Sequence, residues 1–268
     1  MKYELGFIGA GNMGGAVLEA AAKKIDGSKI AVYTKSGAGA KKYNELLGCH
    51  MAQSATEIAK DSKYVIIGVK PHIIPSVAEE IAPVLAERKD NFVLMSMAGG
   101  VDTKLLEKLF GHVPVLRIMP NTPCLVGEGM TLYCGNDLIT EDIFENFLSI
   151  FEAAGRFDRL EERLIDAASA VTGCGPAFAY MFAEALGDGV LSCGVPRKLA
   201  YEYAAQMMIG AGKMILETGE HPGRLKDGVC SPGGATIQGV RALEKGAFRS
   251  AVFEAVVEAY IKTTKLAE

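Results

Sequence analysis

The 268-residue sequence contains no C-x-x-C pair: its six cysteines (Cys49, Cys124, Cys134, Cys174, Cys193, Cys230) are scattered singly. That spacing speaks against a zinc site or a disulfide framework and fits buried thiols in a reducing compartment. The four histidines, His50, His72, His112 and His221, stand in unrelated segments, so no metal site and no histidine acid–base pair is predicted. Long apolar runs are missing too. The longest uncharged stretch, Ala167 to Ala183, falls short of the roughly 20 residues of a membrane span and carries Ser169, Thr172, Gly173, Gly175 and Pro176. There is no long basic run, and the formal net charge is -4, which argues against nucleic acid as a partner. The first residues lead into a strand-like run and not through a basic segment and an apolar signal core, so no secretion signal is expected and the cytoplasm is the expected location.

What is present is enough apolar sequence for a core. Hydrophobic residues make up 49% and charged residues 22%, a balance that excludes disorder and allows one large domain or two modest ones. The strand-type run Leu5-Gly6-Phe7-Ile8 is followed by Gly9-Ala10-Gly11-Asn12-Met13-Gly14 and a helical stretch from Gly15 to Lys24. This is a G-x-G-x-x-G turn between strand and helix. Gly9 permits the tight turn, Gly11 lets a pyrophosphate approach the backbone, and Gly14 allows close helix packing. Residues Ile8 to Gly14 are therefore candidate dinucleotide contacts. The second predicted strand, Lys29 to Thr34, runs into Lys35 and Ser36, and no acid follows before Glu45. An acid there would hold a ribose 2′-hydroxyl, whereas a lysine and hydroxyls can receive a 2′-phosphate. NADPH is thus favoured, with NADH also admitted, although Lys35 reads equally well as a solvated surface lysine.

Further strand-like runs alternate with helical ones: Tyr64 to Val69, Asn91 to Ala98, Val113 to Met119, Met130 to Cys134 and Gly155 to Leu160, with a helix at Glu141 to Phe151. Strand ends of an open parallel sheet line its ligand crevice. This makes Val69, Lys70 and Pro71 candidates, with Pro71 as a plain helix N1 residue the competing reading. Asn121 and Thr122, between Pro120 and Pro123, are expected to form a rigid polar turn toward the nicotinamide. After Glu161 the pattern is helical throughout. The sequence thus predicts an α/β chain: a Rossmann-type doubly wound sheet over residues 1–160, then an all-α domain over 161–268. Gly175-Pro176 interrupts the first helical stretch, a helix runs from Gly194-Val195-Pro196 to about Thr218, and Gly219 to Cys230 reads as a polar loop. Ala177 to Leu186 and Ala204 to Ile215 are apolar on more than one face, which points to helices buried between subunits.

Ser231-Pro232-Gly233-Gly234-Ala235-Thr236 stands out in this second half. Ser231 and Pro232 suit the N-cap and N1 positions of a helix, and the two glycines leave the following backbone N–H groups uncovered. Such a terminus either is an ordinary helix start or receives a carboxylate or phosphate.

Taken together, Phe7 to Gly14, Val69-Lys70-Pro71, Met119 to Pro123, Thr172-Gly173-Cys174-Gly175-Pro176-Ala177, Asp188-Gly189, Ser231 to Thr236 and Ala242-Leu243-Glu244-Lys245-Gly246 resemble pyrroline-5-carboxylate reductase over the whole length. The resemblance implies reduction of a cyclic imine, 1-pyrroline-5-carboxylate, to L-proline with NADPH or NADH, the last step of proline biosynthesis. It implies Ser231, Gly233, Gly234, Ala235 and Thr236 as the substrate carboxylate site, with the Thr236 hydroxyl at the ring nitrogen. It also implies a homodimer through the C-terminal helices, commonly assembled into larger rings. The chain departs from the pattern at Ala55, where many members carry an asparagine, and at Cys174 and Cys230, where serine or threonine is frequent. Two other readings compete. A β-hydroxyacid dehydrogenase resembles the Gly173-Cys174-Gly175 region, but it uses a lysine for acid–base work where this chain aligns Ala179. A non-catalytic dinucleotide-sensing module would account for Gly9 to Gly14 and not for the Ser231 turn.

Overall fold

In the computed structural model, which describes residues 1–266, β1 (Tyr3–Ile8) leads through the glycine turn to α1 (Asn12–Ala21). β2 (Ile30–Tyr33), α2 (Ala38–Leu47), a two-residue β3 (His50–Met51), α3 (Ala55–Asp61) and β4 (Ser62–Ile67) follow. Then come α4 (Ile74–Glu87), β5 (Val93–Ser96), α5 (Thr103–Phe110), β6 (Val115–Met119), β7 (Gly129–Gly135), α6 (Glu141–Phe151) and β8 (Gly155–Arg159). The eight strands lie in the order β3-β2-β1-β4-β5-β6-β7-β8. The first six are parallel, β7 runs antiparallel to β6, and β8 pairs parallel with β7. The order of those six is that of a doubly wound dinucleotide-binding sheet, as the alternating pattern predicts.

The strands read as continuous apolar runs because both faces of the sheet are covered. Leu5, Phe7, Tyr64 and Ile66 pack toward α1, α2 and α6, while Ile8, Val65, Ile67 and Leu94 pack toward α3, α4 and α5. On the first face Phe147 of α6 lies among Tyr133, Phe151 and Phe157 at centroid separations of 5.4–5.5 Å. A fully buried phenylalanine of this kind contributes about 1.5–3 kcal/mol.

Beyond β6 a buried charge takes over from apolar packing. Arg117, only 1% exposed in the middle of β6, extends its guanidinium to α7 (Glu162–Thr172). Its Nη2 donates to Asp166 Oδ1 at 2.5 Å and its Nη1 to Glu162 Oε1 at 3.4 Å. Glu162 also accepts from the Thr103 amide at 2.8 Å and the Thr103 hydroxyl at 2.6 Å, which closes the network onto the start of α5. Asn121 makes a second tie: its Nδ2 donates to Thr172 O at 2.8 Å, and its Oδ1 accepts from Met130 N at 2.9 Å.

The remainder is helical, as predicted: α8 (Gly175–Ser192), α9 (Arg197–Thr218), α10 (Pro222–Gly228), α11 (Ala235–Lys245) and α12 (Phe248–Thr264). The segment expected to be a polar loop, Gly219 to Cys230, contains α10. Pro222 occupies the first turn, where its missing N–H costs nothing, and His221 Nδ1 accepts from Gly223 N at 3.0 Å as a cap. The chain divides into two compact units, one made of Met1–Cys174 with the segment from Ala259 onward and the other of Gly175–Glu258. Within the second unit α8 packs on α9, and Gly187 makes room for the Tyr201 ring. Tyr180, Met181, Tyr203, Met207, Ile209, Leu216 and Phe253 remain exposed there. Among the described residues no helix is long and apolar enough to cross a membrane. All six cysteines are free; Cys49, Cys124 and Cys134 are buried, Cys174 and Cys230 half-buried. Cys193 is exposed at the end of α8, which corrects the expectation of uniformly buried thiols. Burial raises the Cys49 and Cys124 thiols to about 11 and the Cys134 thiol to about 12.

Removing one partner of a buried ion pair leaves the other uncompensated, at a cost of about 3 kcal/mol or more. Arg117→Ala is therefore expected to lower the urea-unfolding free energy by about 3 kcal/mol at fixed protein concentration. A loss below about 1 kcal/mol would mean that apolar packing alone holds α7 to the sheet.

Candidate functional site

Connections from β1 run to one side of the sheet through β2 and β3 and to the other through β4 and β5, so the carboxyl ends of β1 and β4 flank the switch point. A cleft of about 580 Å³ opens there. The glycine turn forms its floor. Gly9 has φ +94°, in the left-handed region, and a Cβ on it would lie 2.9 Å from the carbonyl carbon of Gly68. A Cβ on Gly14 would lie 2.8 Å from Gly9 O. Gly11 differs from both, since open space surrounds the position its Cβ would take, with no heavy atom within 4 Å. It is also the N-cap of α1, and among the described residues no side chain bonds to that helix end. The uncapped N–H groups, the helix dipole and the bare Gly11 surface together make a cradle for a pyrophosphate.

Of the sequence-predicted cofactor residues, Ile8, Gly9, Ala10, Gly11, Lys35, Ser36 and Val69 line this cleft. Asn12, Met13 and Gly14 form the first turn of α1 beside it. Lys35 and Ser36 are exposed in the tight turn after β2, which the Gly37 N–Thr34 O bond of 2.8 Å closes. Thr34 Oγ1 accepts from Ala40 N at 3.3 Å and so secures this turn to α2. Among the described residues Lys35 makes no ion pair within the chain, which leaves its ammonium available to a phosphate. Lys70 and Pro71 do not line the cleft: Lys70 caps a short 3-10 turn, and Pro71 borders a separate apolar groove. Asn121 is 7% exposed with both ends of its amide engaged by Thr172 and Met130, so the side chain braces the turn. Tyr33, Gly39, Ser76, Val77 and Glu80 also line the cleft and escaped the sequence reading. Ser76 and Glu80 carried a signal in their i,i+4 spacing on one helix, a spacing indistinguishable from any solvated face. Ala55, 1% exposed, borders the cleft and brings no polar group to its wall.

The second candidate, the Ser231 turn, differs from the helix start expected from its sequence. The helix α11 begins at Ala235 with Gly234 at the N-cap, three residues later than a Ser231 cap would require. Ser231 to Gly234 is instead a turn closed by Gly234 N donating to Ser231 O at 3.0 Å, with Gly233 at φ +69°. Proline second and a left-handed glycine third is the pattern of a type II turn, and it outcompetes Pro232 as a helix N1 residue. The Gly234 N–H is thereby used inside the turn. Among the described residues no side chain caps α11, so the amides of Ala235 and Thr236 open its first turn without a capping partner, and Ser231, Gly233, Ala235 and Thr236 are all exposed. A Cβ on Gly234 would overlap Ser231 Oγ, which places that hydroxyl over the helix entrance. An uncapped helix start with a hydroxyl beside it is suited to a carboxylate.

This sheet, its switch-point cleft and its glycine cradle define a dinucleotide-binding protein of the doubly wound class. Residues 4–99 match the family model described as NADP oxidoreductase, coenzyme F420-dependent, and residues 162–266 match the model described as pyrroline-5-carboxylate reductase dimerisation. The chain is 42% identical to the pyrroline-5-carboxylate reductase of Escherichia coli (strain K12), with 100% of each chain covered. It is 34% identical to that of Glycine max over 99% of this chain and 96% of the relative. A crystal structure of Plasmodium falciparum pyrroline carboxylate reductase with NADP bound superposes with TM-score 0.90 at 32% identity, covering 100% of both chains. The chain belongs to the pyrroline-5-carboxylate reductase family, and it is an NAD(P)H-dependent enzyme.

If Lys35 receives the 2′-phosphate, Lys35→Glu weakens NADPH binding about fivefold at moderate salt, as befits an exposed and screened contact. NADH binding is expected to stay within about twofold. Titration with both cofactors checks this, and equal losses would remove Lys35 from phosphate recognition.

Proposed function

We propose that the Ser231 turn and the start of α11 hold the carboxylate of 1-pyrroline-5-carboxylate while NAD(P)H delivers hydride to its imine carbon, giving L-proline. The observation that carries this reading is the uncapped start of α11 beside the Ser231 hydroxyl, with Ala235 and Thr236 exposed, in a chain of this family. A protonated cyclic imine is already electrophilic, so the protein must chiefly align the nicotinamide C4 with the imine carbon. As one C–H bond forms at the imine carbon, the C4–H bond of the reduced nicotinamide, which supplies the hydride with its electron pair, breaks; the C=N π pair becomes the nitrogen lone pair, and the proton already on the nitrogen stays there. No side chain has to abstract a proton along this path. Ser231 and the amides of Gly233, Ala235 and Thr236 orient the carboxylate. The Thr236 hydroxyl accepts from the iminium N–H and can donate to the product nitrogen, so it serves both ends of the reaction. The acting unit is a homodimer joined through the C-terminal helices, assembling further into rings, and its free thiols suit the reducing cytoplasm.

A hydrogen bond to a charged group contributes roughly 1.5–3 kcal/mol, and each 1.36 kcal/mol is tenfold in rate. Thr236→Ala is thus expected to lower kcat/KM for the imine about 10- to 100-fold with NADPH affinity retained. Thr236→Ser restores most of the loss. Equal impairment of the two variants in steady-state assays would assign Thr236 to packing. For the assembly, the exposed Tyr180, Met181, Met207, Leu216 and Phe253 need a second chain to cover them. Sedimentation velocity at assay concentration is expected to show a dimer or larger, and a fully active monomer would end that reading.

A further inference from the structure

We infer that Ser76 and Glu80, one turn apart on α4, read the 6-amino group of the cofactor's adenine and so select adenine over keto-purine dinucleotides. The inference rests on the switch-point cleft being the dinucleotide site. Glu80 is the one carboxylate lining that cleft among the described residues, and Ser76 lies four residues before it on the same face of the helix. A carboxylate in a cleft for a polyanion repels phosphate, so it fits only where the ligand offers donors.

The hydrogen-bond partners already made define what each group has left. The Ser76 hydroxyl donates to Ile73 O at 2.8 Å, which spends its proton and leaves the oxygen able only to accept. Thr56 Oγ1 donates to Glu80 Oε1 at 3.3 Å, steadying the carboxylate and leaving its other oxygen to accept. Two acceptors one turn apart match an amino group, which carries two N–H donors. They mismatch hypoxanthine and guanine, which present a carbonyl oxygen at the same ring position. The placement follows the ligand's own order: with Lys35 and Ser36 read as the 2′-phosphate contacts, the base is the next group along the dinucleotide, and Ser76 and Glu80 line the same cleft. Ile73, at the N-cap of α4, and Val77 on the helix supply an apolar surface for the purine ring.

The test compares NADPH with its reduced hypoxanthine counterpart, followed by the fluorescence of the reduced nicotinamide; the chain contains no tryptophan to interfere. The wild-type protein is expected to bind the hypoxanthine cofactor about tenfold more weakly, the effect of one charge-assisted hydrogen bond at an open site. In Glu80→Ala the ratio should fall below about threefold, chiefly through weaker NADPH binding. Glu80→Gln, whose amide can both accept and donate, should keep NADPH affinity and bind the hypoxanthine cofactor better than wild type does. Equal wild-type affinities, or a ratio that survives in Glu80→Ala, would overturn the assignment of Glu80; this includes the case in which Glu80 accepts from a ribose hydroxyl. Failure of the wild type to bind either cofactor is a distinct result, which would overturn the reading of the cleft along with it.

Discussion

Two backbones pass so closely at the carboxyl ends of β1 and β4 that neither can carry a side chain there, and the dinucleotide cleft is a consequence of that approach. Gly68 N donates to Ile8 O at 2.9 Å and Gly9 N to Tyr33 O at 2.8 Å, so three strands are locked at the point where the chain leaves the sheet. Because a Cβ on Gly14 would come 2.8 Å from Gly9 O, α1 can settle against this junction with its N-terminus directed at the crevice. Overpacking at such a contact costs about 1–3 kcal/mol and shifts backbone. The three glycines thus fix where the positive end of the α1 dipole lies, and the ligand's charge follows from that.

At the other side of the sheet the organising interaction is ionic. Arg117 reaches Glu162 and Asp166 from the middle of β6, and Asn121 fastens the turn after the same strand to the last residue of α7. A buried ion pair contributes less net stability than apolar side chains of equal volume would, but it tolerates few geometries. Here it sets the register of α7 against β6 and so fixes the sheet-side start of the helical half.

Local features were legible in the sequence and distant ones were not. The β1 turn and α1 could be read because glycine spacing, strand and helix lie within 20 residues of one another. The full span of α6, Glu141–Phe151, was equally readable from its apolar spacing. Arg117 was not, since its partners lie 45 and 49 residues away and an arginine in a strand carries no mark of its pairing. The start of α11 was misplaced because Pro232 suits both a helix N1 position and the second position of a turn, and only Gly233 in its left-handed conformation decides between them. Helix α10 hid behind Gly219, Pro222 and Gly228, residues that signal loops when no cap is recognised. In the candidate site, the glycine floor and the Lys35 turn were visible as motifs. The α4 wall was not, because Ser76 and Glu80 look like any solvated helix face until the fold turns them toward the crevice.

The entrance of α11 is furnished mostly by peptide groups. Amide N–H groups have no ionisation in the physiological range, so a carboxylate held there meets the same donor set in mildly acidic and mildly alkaline solution. With only hydroxyls added at Ser231 and Thr236, the carboxylate site proposed there would carry no proton switch of its own. The pH response of this half of the enzyme would then be inherited from its substrate, through the fraction of imine that is protonated, and would travel with the ring compound and not with the protein.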